Sequence, residues 1–106
     1  MSEDSISFLV SQVSEFSRLR DWEKFHSPKN LAMAISGEAG ELAAEFQWLK
    51  EEESESRRLS DEKLEAIRLE MADIQIYLLR LADRLEVDLG KAVLKKLEIN
   101  ENRFKI

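Results

Sequence analysis

The chain has 106 residues, enough for one modest core, with 22 Asp and Glu against 16 Lys and Arg and a net charge of −6. It has no cysteine and one histidine, so disulfides, zinc–thiolate sites and His-rich sites are excluded, and any bound metal must be a hard cation held by oxygen: Mg²⁺, Mn²⁺ or Ca²⁺. The acidic balance opposes binding along a nucleic-acid backbone, and no signal peptide or membrane-spanning run is read, which makes a cytoplasmic protein the expectation.

Three Gly and one Pro leave few turns, and the abundance of Leu, Glu, Ala and Lys favours helix throughout. Asp4 or Ser5 can cap a first helix whose apolar residues, Ile6, Leu9, Val10, Val13 and Phe16, recur at steps of three and four. Residues 21–28, DWEKFHSP, break that pattern and read as an irregular connector, because Pro28 disfavours helix at Ser27. Asn30 is the expected cap of a second helix, from about Leu31 to Lys50, with Leu31, Ile35, Ala39, Leu42, Phe46 and Leu49 as its core stripe. Gly37 and Gly40 inside it each cost up to about 1 kcal/mol relative to Ala, which calls for close approach of a neighbouring helix or a ligand.

Residues 51–58, EEESESRR, are polar and without period, and read as an exposed loop. Ser60 then caps a third helix, with Leu59 positioned to staple onto Leu64. This helix runs to about Glu86, roughly 39 Å at 1.5 Å per residue. It carries one apolar row at Leu64, Ile67, Met71, Ile74, Leu78, Leu81 and Leu85 and a second at Leu69, Ala72, Ile76 and Leu79, so it must be covered on two sides. Asp88 caps a short fourth helix with Leu89, Val93 and Leu97, and Asn100 to Ile106 reads as a tail. The fold class is all-α, a four-helix-bundle-like single domain over residues 1–106. Its apolar excess predicts a homo-oligomer, a tetramer rather than a dimer.

Two helices carry acidic pairs at i, i+3: Glu38 with Glu41, and Glu70 with Asp73. Such neighbours share a face and repel when ionised. None of the four has Lys or Arg three or four residues away, and Glu45, one turn beyond Glu41, adds negative charge. Glu70 and Asp73 lie inside LEMADIQIYLL, where a charge is costly unless compensated. If the second and third helices pack antiparallel, four carboxylates converge and a cation between them is required. Carboxylate hardness favours Mg²⁺. A carboxylate-bridged iron or manganese site is a weak alternative, since His26 lacks the Glu-x-x-His placement such sites use. Solvated acidic helix faces are the competing structural reading.

Glu38-x-x-Glu41, then residues 42–69, then Glu70-x-x-Asp73 resembles the signature of the MazG-like all-α nucleotide pyrophosphohydrolases, and within them the dCTP pyrophosphatases. DWEKFHSPKNL, GEAGELAAEFQW, EMADIQIYLLRLAD and VDLGKAVLKKLEIN extend the resemblance over nearly the whole chain. It departs at Val13, where relatives can carry histidine, and at Arg103-Phe104-Lys105, where Arg-Tyr-Pro is expected.

The resemblance implies hydrolysis of a nucleoside triphosphate to monophosphate and pyrophosphate, with Mg²⁺ (or Mn²⁺) on Glu38, Glu41, Glu70 and Asp73. It also implies pockets near subunit contacts in a homo-oligomer. Trp22, His26, Trp48 and Tyr77 would hold the nucleotide, with Lys96, Asn100 and less securely Arg103 near the phosphates. Glu38 or Glu41 would take the proton of the attacking water. By spacing alone, Trp48 falls on the carboxylate face, three, seven and ten residues after Glu45, Glu41 and Glu38, and Tyr77 follows Asp73 by one turn. The substrate implied is dCTP or a related, modified pyrimidine nucleotide. The alternatives are another NTP, phosphoribosyl-ATP, or a catalytically silent helical regulatory module.

Overall fold

The computed structural model describes residues 5–106. It contains four α-helices: α1 (Ile6–Leu19), α2 (Pro28–Phe46), α3 (Asp61–Arg84) and α4 (Leu89–Arg103), with no strand among the described residues. Three caps match the sequence reading. The Ser5 hydroxyl accepts from the Phe8 amide at 3.2 Å, Ser60 from Lys63 at 3.1 Å, and the Asp88 carboxylate from Lys91 at 3.0 Å. Asp4, the other cap considered for α1, lies outside the described residues.

The start of α2 differs from expectation. Ser27 is extended and caps it, with its hydroxyl accepting from the Asn30 amide at 3.2 Å, and Pro28 occupies the first helical turn. Proline belongs there, since the amide it lacks would have had no partner in any case. Asn30 is freed to hold the connector, donating from Nδ2 to the Phe25 carbonyl at 3.1 Å. The connector itself contains one 3₁₀ turn, Glu23–Phe25, and residues 51–58 form two more, Glu51–Ser54 and Ser56–Arg58. The loop is therefore ordered by its own acidic groups, with Glu53 accepting from the Lys50 amide at 2.8 Å.

Helices α2 and α3 pack along their lengths, and α1 lies against α3. The α2–α3 pair is antiparallel: Glu45 meets Lys63, Glu41 meets Glu70, and Glu38 meets Asp73 as the numbers descend on one helix and rise on the other. The core where the three helices meet consists of Leu31, Ile67, Leu79 and Ala82, with Ser17 and Arg80 buried among them.

Two expectations are corrected here. An added Cβ at Gly37 or Gly40 would meet nothing within 4 Å, so no helix of this chain approaches either glycine, and Ala39 of the expected stripe is exposed. Helix α4 continues to Arg103 through the first part of the expected tail, and it packs along none of the other three helices. Val93, Leu94, Leu97 and Ile99 are all exposed on it, as are Leu69, Met71 and Ile76 of α3. The bundle within one chain is thus of three helices with the fourth standing off.

Candidate functional site

The antiparallel pairing brings Glu38 and Glu41 of α2 against Glu70 of α3. One carboxylate oxygen from each lies within 4.8 Å of the others. Glu38 and Glu70 are half-buried, and Oε2 of each is shut from water without a hydrogen-bond partner among the described residues. Burial first, and then the neighbouring charges, push both carboxyls above the ordinary carboxylate range. Glu41 is the strongest charged neighbour of each, and Asp73 adds to both. Asp73 stands one step outside the tight cluster. Glu45 adds to the negative charge felt by Glu70, as expected, while pairing with Lys63 Nζ at 2.9 Å.

Glu38 and Asp73 also form one wall of a cleft of about 510 Å³ between α1, the connector and α3. Its aromatic lining is a chain of edge-to-face rings. Phe16 and Trp22 are 5.6 Å apart by centroid, Trp22 and His26 6.1 Å, and His26 and Tyr77 6.4 Å. Desolvation, followed by the charges of Arg80 and Arg84, lowers the His26 pKa and favours the neutral imidazole. Its Nδ1 is buried without a hydrogen-bond partner among the described residues.

Of the residues named from sequence, Glu38, Asp73, Trp22, His26 and Tyr77 meet in this cleft, and Glu41 and Glu70 stand beside it. Trp48, Lys96 and Asn100 do not line it. Trp48 lies beyond the end of α2, so helical periodicity does not carry it to the carboxylate face, and it is 87% exposed. Lys96 and Asn100 lie on α4, and Arg103 ends it, 5.1 Å from the Phe104 ring. Sequence reasoning missed Gln12, Phe16, Ser17, Ile76 and Arg80 as lining residues, and had noted Val13 only as a departure from the family pattern. Arg80 had a legible signal: a charge set in LLRLAD, with Asp83 one turn on.

The described residues are all-α and set three converging carboxylates at the edge of an aromatic cleft. The chain belongs to the MazG-like family, whose model matches residues 33–106. It is 43% identical over 105 residues to dCTP pyrophosphatase 1 of Bos taurus, a match covering 99% of this chain and 62% of that protein. With the Homo sapiens protein of the same name it shares 46% identity over 91 residues, covering 86% of this chain and 54% of the relative. The chain thus spans little more than half the length of these curated relatives. Among solved structures it resembles a pyrophosphatase from Archaeoglobus fulgidus, with a TM-score of 0.84 and 39% identity over 92% of this chain and 90% of that one.

Proposed function

We propose that this chain is a Mg²⁺-dependent nucleoside triphosphate pyrophosphohydrolase, converting NTP to NMP and pyrophosphate. The proposed substrate is dCTP or a related, modified pyrimidine deoxynucleotide, and the proposed role is house-cleaning of the nucleotide pool. One observation carries the reading: a cluster of three carboxylates opens, through Glu38 and Asp73, onto a cleft ringed by Trp22, His26 and Tyr77. The names of the relatives and membership of the MazG-like family support it.

The donor set fits a hard cation. It is all oxygen, it converges from two helices, and two of its oxygens are buried without a partner. Glu38, Glu41 and Glu70, with Asp73 beside them, would hold Mg²⁺, for which Mn²⁺ can substitute. When bound, the cation offsets the charge of the triphosphate and polarises its phosphoryl oxygens. Glu38 borders both the cluster and the cleft, so Glu38 or its neighbour Glu41 accepts the proton of the attacking water. Trp22 and Tyr77 stack on the base, and a neutral His26 offers one donor and one acceptor to its edge.

The working unit is a homo-oligomer, a tetramer in our reading. The chain's accessible surface is 8423 Å², against about 6,100 Å² for a compact monomer of its mass. Its radius of gyration is 16.4 Å, where about 13 Å is usual. The excess is well above the roughly 800 Å² that each partner buries in a standard interface. Trp48, Lys96 and Asn100, remote from their own cleft, then serve a pocket at a subunit contact.

Pyrophosphate release from dCTP, dUTP, dTTP, dATP and dGTP with Mg²⁺ tests the reading. Release from pyrimidine nucleotides, absent in excess chelator, is the expected result. No release from these, from ribonucleoside triphosphates or from phosphoribosyl-ATP would leave the regulatory module.

A further inference from the structure

The connector that carries Trp22 and His26 has little of its own to hold it. It leaves α1 through Asp21 in the left-handed region, φ 55°, and forms a single 3₁₀ turn. Its ends are tied by the Trp22 amide, which donates to the Ser17 carbonyl at 3.0 Å, and by the Asn30 side chain, whose Nδ2 donates to the Phe25 carbonyl. Glu23 reaches across to α3 with Oε1 3.6 Å from Nη2 of Arg80, beside the edge-to-face contact of His26 with Tyr77.

Arg80 is only 2% exposed and lines the cleft. Its Nη1 donates to Oδ2 of Asp83 at 2.8 Å, and that same oxygen accepts from the Ser14 hydroxyl of α1 at 2.8 Å. Asp83 is therefore shared, and a buried guanidinium demands more compensation than a shared carboxylate supplies. Glu23 adds a second carboxylate in ion-pair range at 3.6 Å, while Nε of Arg80 has no hydrogen-bond partner among the described residues. One buried cation joins α3, α1 and the connector.

We propose that Arg80 is a positioning residue whose pair with Glu23 holds the connector against α3 and so sets where Trp22 and His26 stand for the nucleobase. This rests on the nucleotide reading above. Removing the pair loosens base binding, while the carboxylates on α2 and α3 keep their arrangement.

The test uses Glu23→Gln, which keeps the size of a half-exposed side chain and removes its charge. Lys24→Gln, in the same turn, is the control, since Lys24 pairs with Asp21 and not with α3. With Mg²⁺ and dCTP, Glu23→Gln should raise KM by up to about fivefold, as for loss of one half-exposed ion pair, with kcat unchanged. Lys24→Gln should match the wild type. A second readout needs no substrate. In a Trp48→Phe background Trp22 is the sole tryptophan, and Glu23→Gln should shift its emission to the red and increase its quenching by acrylamide. Arg80→Lys, which keeps the charge without the planar fork, should shift it less. A change in KM without a change in emission overturns the proposal, as does the reverse, no change in either, or an equal effect of Lys24→Gln. If the wild type hydrolyses no nucleotide, the nucleotide reading falls, and the emission alone decides whether Glu23 and Arg80 hold the connector.

Discussion

Glu41 is the residue on which the electrostatics of the cluster turn, because its charge acts on both Glu38 and Glu70. Glu41→Gln should abolish turnover and yet raise the melting temperature of the protein held in chelator, since it removes a repulsion felt twice. Asp73→Asn should likewise abolish turnover. Full activity of either variant in the pyrophosphate assay would refute the ligand assignment. The same coupling fixes the sign of the pH response. Glu38 and Glu70 keep their protons to higher pH in the folded chain than in the unfolded one, so the folded state binds more protons there. The contribution of these two groups to the stability of the metal-free protein should therefore be greatest at or below about pH 4 and fade as pH rises through the raised pKa values. Added Mg²⁺ should reverse the loss, with a gain that grows logarithmically with its concentration. Denaturant melts across pH, with chelator and with Mg²⁺, would show it. A metal-free protein that gains from rising pH at the Glu38→Gln and Glu70→Gln positions, relative to wild type, is the expected signature of the same effect.

At the scale of the elements, what the sequence made legible was local. Caps at Ser5, Ser60 and Asp88 lie within three residues of the amides they serve, and the i, i+3 acid pairs are visible on any helical wheel. Replacing Ser60 by Ala should cost about 1 kcal/mol in a chemical melt, the usual worth of such a cap. What was not legible depended on contacts distant in sequence. Glu45 finds Lys63 only through the α2–α3 packing, and Arg80, Ser14 and Glu23 meet from three separate segments. The glycines were expected to allow close approach of a neighbouring helix or a ligand, and no helix of this chain approaches them. With open space around both, Gly40→Ala should stabilise the isolated chain by about 0.5–1 kcal/mol through helix propensity. Loss of stability in the assembled protein would mean that another copy approaches the helix there.

For the whole molecule, the decisive feature is α4, whose Val93, Leu94, Leu97 and Ile99 face solvent in the single chain. The sequence pattern places the apolar excess on the two rows of α3, where Leu69, Met71 and Ile76 are exposed; that α4 adds to it became visible only when α4 was seen to stand off the other helices. Light scattering at micromolar concentration should report an oligomer, and Leu94→Glu with Leu97→Glu should dissociate it. A well-folded wild-type monomer would contradict this.

The two halves of the site are built from different materials. The carboxylates sit on helices that pack along their lengths, whereas Trp22 and His26 ride on a short connector. Mutational tolerance should divide along the same line. A library randomised across 21–27, with Glu23 retained, should yield many working variants with altered base preference. One randomised at 38, 41, 70 and 73 should yield almost none. Substrate range in such a scaffold can drift under selection while the reaction it performs is inherited intact.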